Sequence, residues 1–388
     1  MPMPVLLDSV LIRSLHQAKP VAITASSAPT VRRAAQCLLA RRLRTGLFAL
    51  CTTWASACFA QAANPTHAES PWLLVPTLSA TPKLGSSIGG MAGYTTRLDP
   101  GSSYSLFAVT ANYSSSHSRT ASAFAQAYWN ADRDHLMAAA AFGRINNEYE
   151  DFLGSGYPFA TTDELKALWL RYTMRISGPW HAGAQLVYGN YTISGTDSNG
   201  DLILDNLGLT GTKSSGLGPV LEYDTRDSKT MPQQGTLAQV SATLFRQGLG
   251  GSADYEGYSA NWRHYIALNE RSVLATRLMA TWHADAPKAA WSSVTLRPYT
   301  RGQYLAPGSI SAETEWRVRF GSRYGATVFA GVACLQGAEQ NCGTKLYPMV
   351  GAGVQYLFRP EAGRLVNLSV AKGSGSNVAL LLKMGYEY

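Results

Sequence analysis

Period-two alternation is the feature that most constrains the fold, and it is clearest between Ile310 and Phe320. One face of this stretch is mostly apolar, and the other carries four charged side chains, Glu313, Glu315, Arg317 and Arg319. Charges on one face of a strand need water or opposite charges beside them. The polar lumen of a membrane-spanning β-barrel supplies both, and the alternative is the exposed face of a soluble antiparallel sheet.

Similar segments recur along the chain from Trp72, separated by clusters of Gly, Asn, Asp, Ser and Pro. No apolar stretch is long enough for a membrane-spanning helix, which needs about 20 residues. We therefore predict an all-β fold, a transmembrane antiparallel β-barrel of about 16 strands with both termini in the periplasm. The predicted strands span residues 71–80, 86–98, 103–114, 120–130, 134–145, 165–177, 180–193, 215–226, 235–247, 254–267, 271–283, 309–321, 324–335, 345–358, 364–373 and 377–388.

The three longest predicted connections all fall at one end of this barrel. They are residues 146–164, 194–214 and 284–308, and each follows an odd-numbered strand. Long loops on the extracellular side and short turns on the periplasmic side are typical of bacterial outer-membrane barrels. In the first strand, Pro76 indicates either an edge position or a strand that begins after it.

The N-terminal region has the composition of an export signal. Arg41, Arg42 and Arg44 precede an apolar stretch from Leu47 to Phe59, and the small residues around Ala62 suit a cleavage site. We predict a signal peptide over residues 1–62 with an over-long start, a short periplasmic lead-in at 63–70, and the outer-membrane barrel at 71–388. A lipoprotein signal ending at Cys58 is a weaker alternative.

The net charge of +8 does not indicate a nucleic-acid partner. Residues 1–62 contain seven basic side chains and one acidic side chain, so +2 remains for the rest of the chain. Because the excess lies in a segment predicted to be removed, no nucleic-acid binding is expected.

Two motifs go beyond the physics of a barrel. The first runs from Gly216 to Asp227 and contains Tyr223, Asp224, Arg226 and Asp227. The second includes Arg297, Arg301, Gly302 and Tyr304, and is followed by Glu313 and Glu315. With these motifs the sequence resembles the bacterial surface antigen family, the BamA/TamA-type outer-membrane barrels that include barrel-assembly insertases and two-partner secretion transporters.

The resemblance implies specific roles for these residues. The segment from Tyr223 to Asp227 would close one strand, and extracellular loop 6 would fold into the barrel with Arg301 and Gly302 at its tip. An inward guanidinium needs carboxylate acceptors, which Glu313 or Glu315 on the next strand could supply. A solvated Arg301 is the alternative. Family members carry an aspartate where this chain has Ser369, which would weaken the lock or shift it to Glu315.

The end of the chain has an apolar face that finishes in Tyr386 and Tyr388. This pattern suits lipid and the headgroup boundary, and we interpret the two tyrosines as a C-terminal assembly signal. The expected partners are outer-membrane lipid, lipopolysaccharide and the outer-membrane assembly machinery that inserts the barrel itself.

Other chemistry is weakly supported. Cys334 and Cys342 could form a disulfide in an oxidising compartment or remain two thiols. Asp197, Asn199 and Asp201 could contact calcium, although a polar turn is favoured because no glutamate follows at the required spacing. No catalytic residues, metal site or cofactor are predicted, because no known catalytic motif is present.

Two functions remain open at this level. The resemblance implies insertion or translocation of polypeptides, which would involve a polypeptide client or a periplasmic partner. The family's soluble repeat domains have no counterpart before residue 71, so a barrel-only protein is expected. This favours the alternative, a passive or gated pore or a structural surface barrel.

Overall fold

The structure is a computed structural model that describes residues 70–81, 85–149, 152–154, 157–299, 301–337, 340–359 and 364–385. The predicted signal peptide at 1–62, the lead-in up to residue 69, and the two terminal tyrosines Tyr386 and Tyr388 lie outside the described residues.

The fold is an antiparallel barrel in which sixteen strands follow one another in chain order, so the predicted class and strand number are confirmed. Two further strands, β12 and β13, form a small sheet of their own. The strands are β1 (Trp72–Thr81), β2 (Gly85–Thr96), β3 (Ser105–Ser114), β4 (Arg119–Trp129), β5 (Asp134–Tyr149), β6 (Phe159–Ser177), β7 (Trp180–Gly195), β8 (Gly211–Asp224), β9 (Gly235–Phe245), β10 (Tyr255–Asn269), β11 (Ser272–Ala284), β12 (Ser292–Ser293), β13 (Leu305–Ala306), β14 (Gly308–Phe320), β15 (Tyr324–Gln336), β16 (Leu346–Arg359), β17 (Arg364–Gly373) and β18 (Val378–Met384).

The connections distinguish the two ends of the barrel. One end, here called the turn end, includes the two-residue turns at 178–179 and 270–271. The other, the loop end, carries the long connections at 196–210 and 285–307. Because long loops of bacterial barrels face the cell exterior, the turn end corresponds to the periplasmic side.

The hairpin of β5 and β6 reaches further towards the loop end than the sequence analysis predicted. Residues 146–149 and 159–164 were predicted to belong to the connection at 146–164, and this prediction was wrong, because they lie in β5 and β6. Asn146 and Asn147 pair with Thr162 and Thr161 across the hairpin. The Asn147 amide donates to Thr161 Oγ1 at 3.0 Å, so side-chain hydrogen bonds hold the two polar strands together.

The connection between β7 and β8 contains a ten-residue helix, α1 (Ser198–Leu207), where only a loop was predicted. Asp197 caps α1 by accepting a hydrogen bond from Gly200 N at 2.7 Å. Asp201 accepts from Gly195 N at 2.7 Å, so both carboxylates considered for calcium serve the fold of this loop. Across the described ranges, no helix is long and apolar enough to cross a membrane.

The two faces of the barrel wall differ as a membrane requires. On β14 the outward residues Ile310 and Trp316 are exposed, while the inward residues Glu313 and Glu315 are buried. Aromatic rings also pair near the turn end, as in the girdles that mark a membrane interface. These pairs are Trp72–Tyr94, Trp129–Tyr172, Trp180–Tyr223 and Tyr324–Tyr356.

The seam between β1 and β18 is the weakest junction of the described barrel. Its register is defined by one pair, Ala80 with Leu380, whereas β1 and β2 pair along ten positions. Pro76 lies inside β1 opposite Gly90, so the alternative of a strand that begins after Pro76 was wrong. Since proline has no N–H to donate, it is tolerated mainly on edge strands, and the register between β1 and β18 is defined at Ala80 and not at Pro76.

Candidate functional site in the barrel lumen

Residues 285–307 connect β11 to β14 and are here called the lumen segment. The segment folds back on itself, because β12 and β13 pair through Ser292 with Ala306 and Ser293 with Leu305. The Ser292 hydroxyl lies 3.1 Å from His283 Nδ1 at the end of β11, which fixes the base of the segment.

The middle of the lumen segment is packed against β15–β18 in the barrel interior. Val294, Leu296 and Tyr299 have no exposed surface. They belong to one apolar cluster with inward-facing residues of β15–β18, namely Phe329, Ala333, Leu335, Tyr347, Met349, Ala371, Ala379 and Leu381. The prediction of a polar inner face therefore does not hold here, because these positions are covered by the segment and not by water.

Arg297 carries the polar anchor of the lumen segment. Its Nη2 donates to Glu315 Oε2 at 2.6 Å and lies 3.5 Å from Glu313 Oε2. The guanidinium also stacks over the ring of Phe329, with 3.6 Å from Cζ to the ring centroid. An inserted arginine held by carboxylates and an aromatic face combines a charge-assisted hydrogen bond with a cation–π contact.

Glu315 is held from two sides. Arg317, on the same strand, donates from Nε to Glu315 Oε1 at 2.8 Å, so each oxygen of the carboxylate receives a guanidinium. All three side chains are almost completely buried. Removal of either arginine would leave a buried charge with less compensation.

Tyr299 ties the tip of the lumen segment to β16 and β17. Its hydroxyl donates to Pro348 O at 2.6 Å and accepts from Ser374 N at 2.9 Å. The hydroxyl end of the ring lies close to Gly373, since a Cβ at that position would come 2.8 Å from Tyr299 Cζ. Gly373 is therefore required by the close approach of this ring.

The predicted loop-tip residues lie in the turn between β12 and β13. Gly302 adopts a left-handed conformation with φ of 81° and donates from its N–H to Ser293 Oγ at 3.2 Å. Tyr304 packs against Tyr347 with 4.9 Å between ring centroids, and Lys345 Nζ lies 4.9 Å from the Tyr304 centroid. Arg301 is half-buried in the same turn.

Both predicted carboxylates, Glu313 and Glu315, face the lumen, and Glu315 binds Arg297 of the lumen segment as well as Arg317 of its own strand. The sequence analysis quoted Arg297 in the motif without assigning it a role. A pairing of Arg301 with either carboxylate stays a prediction. The apolar residues Val294, Leu296 and Tyr299 around Arg297 could have indicated that this part of a long loop is buried.

The strand motif lies at the turn end, away from the lumen segment in sequence and along the barrel axis. Asp224 accepts hydrogen bonds from Arg226 Nη2 at 2.8 Å and from Lys229 Nζ at 2.6 Å. Burial disfavours the charged form of Arg226, but its bonds to Asp224 outweigh this effect and raise the guanidinium pKa. Asp227 caps the same turn by accepting from Gln233 N at 3.0 Å.

Two further predicted positions can be placed. A disulfide joins Cys334 at the end of β15 to Cys342 in the following loop, with 5.0 Å between Cα atoms. Ser369 points into the lumen from β17, opposite Gly353 of β16. No group of three or more metal-binding side chains occurs within the part of the chain that the structure describes.

Comparison with known proteins identifies the class. The Omp85 superfamily domain matches residues 105–301, which are 197 of the 388 residues. The chain therefore belongs to the Omp85 superfamily of outer-membrane β-barrels, as its sequence motifs predicted. No curated protein matches the sequence.

Solved structures agree in fold. The chain resembles BamA from Haemophilus ducreyi lacking POTRA domains 1–3, at 11% identity and a TM-score of 0.51, over 82% of this chain and 70% of that one. CdiB from Acinetobacter baumannii matches at 11% identity with a TM-score of 0.54, over 81% of this chain and 59% of CdiB. CdiB from Escherichia coli matches at 9% identity with a TM-score of 0.54, over 82% of this chain and 63% of that one. The chain spans about three fifths of the CdiB chains.

Proposed function

We propose that this barrel assists the insertion of polypeptides into the outer membrane, or their translocation across it. The proposal rests on one observation above all. The lumen segment is anchored by polar groups that face the barrel interior, because Arg297 Nη2 binds Glu315 and lies near Glu313, and Tyr299 is fixed by hydrogen bonds to strand ends. A polypeptide that entered the lumen would compete for these inward-facing groups.

The seam supports the same proposal. A client strand can add to β1 or β18 only where the two strands part, and one register pair holds them in the described residues. Strand addition to an exposed sheet edge is a general mode of polypeptide recognition. A segment that leaves the lumen and a seam that opens would together give a client a route into lipid.

Proteoliposomes provide the test. The purified protein is reconstituted, a urea-denatured outer-membrane β-barrel is added, and the folded fraction is followed by its gel mobility without heating. We expect faster folding than in empty liposomes of the same lipid composition. Ion flux without any gain in folding rate would instead support a gated or passive pore.

We also propose that residues 1–62 are removed on export and that the mature chain begins at Ala63. The support is the basic, apolar and small-residue order of the leader. Intact-mass measurement of the protein isolated from outer membranes tests this, and a mature terminus elsewhere would contradict it.

Insertion of the chain would depend on the outer-membrane assembly machinery. Depletion of that machinery should therefore lower the amount of folded barrel in the outer membrane.

A further inference from the structure

A cavity of about 270 Å³ lies in the barrel lumen, and its lining includes Thr281, whose hydroxyl lies 2.9 Å from that of Ser292 in the lumen segment. Its walls come from β4–β6, β8–β11 and the turn after β8. It is bounded near the turn end by Tyr128, His135 and Glu222, which sit close to the ends of their strands. The cavity is therefore close to the periplasmic opening.

The charges that line this cavity are strongly unbalanced. Glu222 is the carboxylate in the wall, and Asp224, two residues later at the end of β8, is bound to two of the cations. Glu222 already accepts from Gln239 Nε2 at 2.6 Å and lies 3.4 Å from His135 Nδ1. The lining also contains five cationic side chains, Arg171, Arg226, Lys229, Arg263 and Arg277, and Arg226 and Lys229 are the two that bind Asp224.

Arg171 is the best-defined donor in the wall. It is buried on β6, and its Nε and Nη2 both donate to the neutral amide oxygen of Gln185, at 3.1 and 2.6 Å. This leaves Nη1 without a protein acceptor among the described residues. A guanidinium in this position gains strongly from an anion, because its donors match the oxygens of phosphate and carboxylate groups.

We propose that this cavity is a binding site for a small oxyanion of the phosphate type. Several like charges around one cavity repel each other, and a bound anion removes that repulsion. The volume is below the roughly 300–1,000 Å³ of pockets for drug-sized ligands, so it suits a single phosphate group better than a polypeptide segment. The site is independent of the activity proposed above.

Calorimetric titration of the intact, detergent-solubilised protein with inorganic phosphate tests the site. Chloride keeps the ionic strength constant, so that general screening does not change during the titration. We expect saturable binding, and for Arg171→Met an affinity lower by about tenfold, as expected for the loss of one charge-assisted hydrogen bond. Arg271→Met is the matched control, because Arg271 is exposed on the turn between β10 and β11, outside the cavity.

A second variant, Lys229→Met, tests the same site in case Arg171→Met does not fold. Lys229→Met removes a cavity charge from a turn, and Arg226 remains to bind Asp224. It should weaken phosphate binding while the heat-modifiable gel mobility of the folded barrel is retained. Titration with glycerol 3-phosphate distinguishes two sources of the bound phosphate group. Tighter binding than that of inorganic phosphate indicates a phosphate ester, and equal or weaker binding indicates the free ion. The absence of saturable binding, or equal losses in Arg171→Met and Arg271→Met, would overturn the proposal.

Discussion

Arg297 and Arg301 show how far the sequence predicts which residue binds the carboxylates of β14. A carboxylate pair on β14 needs a cationic partner, and the sequence contains two arginines four positions apart in the preceding loop. The structure places Arg297 on Glu315, with the ring of Phe329 beneath its guanidinium. An arginine–carboxylate pair could be predicted from the residue types. Which of the two arginines forms it depends on where the chain of the lumen segment turns.

The first prediction concerns Arg297→Met. This substitution removes one partner of a buried ion pair, which typically costs about 3–5 kcal/mol. Glu315 retains Arg317, so the barrel should still fold, but the lumen segment should loosen. We expect faster tryptic cleavage after the half-buried Arg301 and larger conductance steps in planar bilayers than for the unmodified protein.

Arg271→Met is the control for loss of a charge, and it should leave both readouts unchanged. Arg301→Met provides the competing test of the pairing predicted from sequence. If its conductance increased while that of Arg297→Met did not, Arg301 and not Arg297 would anchor the lumen segment.

At the scale of elements, strand order and strand number follow from alternation, but strand ends do not. Polar residues at the tip of the β5–β6 hairpin were interpreted as loop because single residues do not reveal a cross-strand partner. In the structure Asn146 and Thr162 face each other, and the Thr162 hydroxyl donates to Asn146 Oδ1 at 3.1 Å. Helix α1 was missed because ten residues give too short a periodic pattern, although Asp197 is a recognisable N-cap.

The second prediction concerns the contact of the lumen segment with β17. In Gly373→Ala the new Cβ would meet the Tyr299 ring, and such overpacking typically costs about 1–3 kcal/mol. We expect Tyr299 to leave its site, which would expose the lumen segment to protease while the barrel stays folded. Gly90→Ala on β2 is the matched control, because nothing lies within 4 Å of a Cβ there. Equal protease resistance of both variants would show that Tyr299 does not hold the segment.

The third prediction concerns the loop between β15 and β16. The disulfide closes a loop with a sequence separation of 8, and by chain entropy a loop of this size contributes about 2–3 kcal/mol. Cys342→Ser should lower the temperature at which the folded barrel loses its gel mobility shift. Mass spectrometry of unreduced peptides should find Cys334 linked to Cys342. Two free thiols in protein isolated from the outer membrane would contradict the assignment.

For the whole molecule, closure of the sheet was predictable because strands that cross a membrane satisfy all their backbone hydrogen bonds only in a closed barrel. The apolar packing inside the lumen was harder to predict from the sequence. Phe329, Leu335 and Met349 occupy inward positions of their strands, where period-two reasoning expected polar side chains. Only the folded loop explains them, because Leu296 and Tyr299 shield these residues from water.

The proposed handling of polypeptides requires the seam between β1 and β18 to open, and a reversible disulfide across that seam tests this requirement. Directly opposed residues of antiparallel strands lie at Cα distances that a disulfide can span. Ala80→Cys with Leu380→Cys would therefore join β1 to β18. Ala111→Cys with Ala121→Cys joins β3 to β4 as the matched control.

The measurement is the folding rate of a denatured outer-membrane barrel in proteoliposomes that contain each oxidised variant. We predict that the oxidised seam pair abolishes the acceleration and that a reductant restores it, while the control pair stays active in both states. Full acceleration with the seam locked would show that client polypeptides do not pass through the seam.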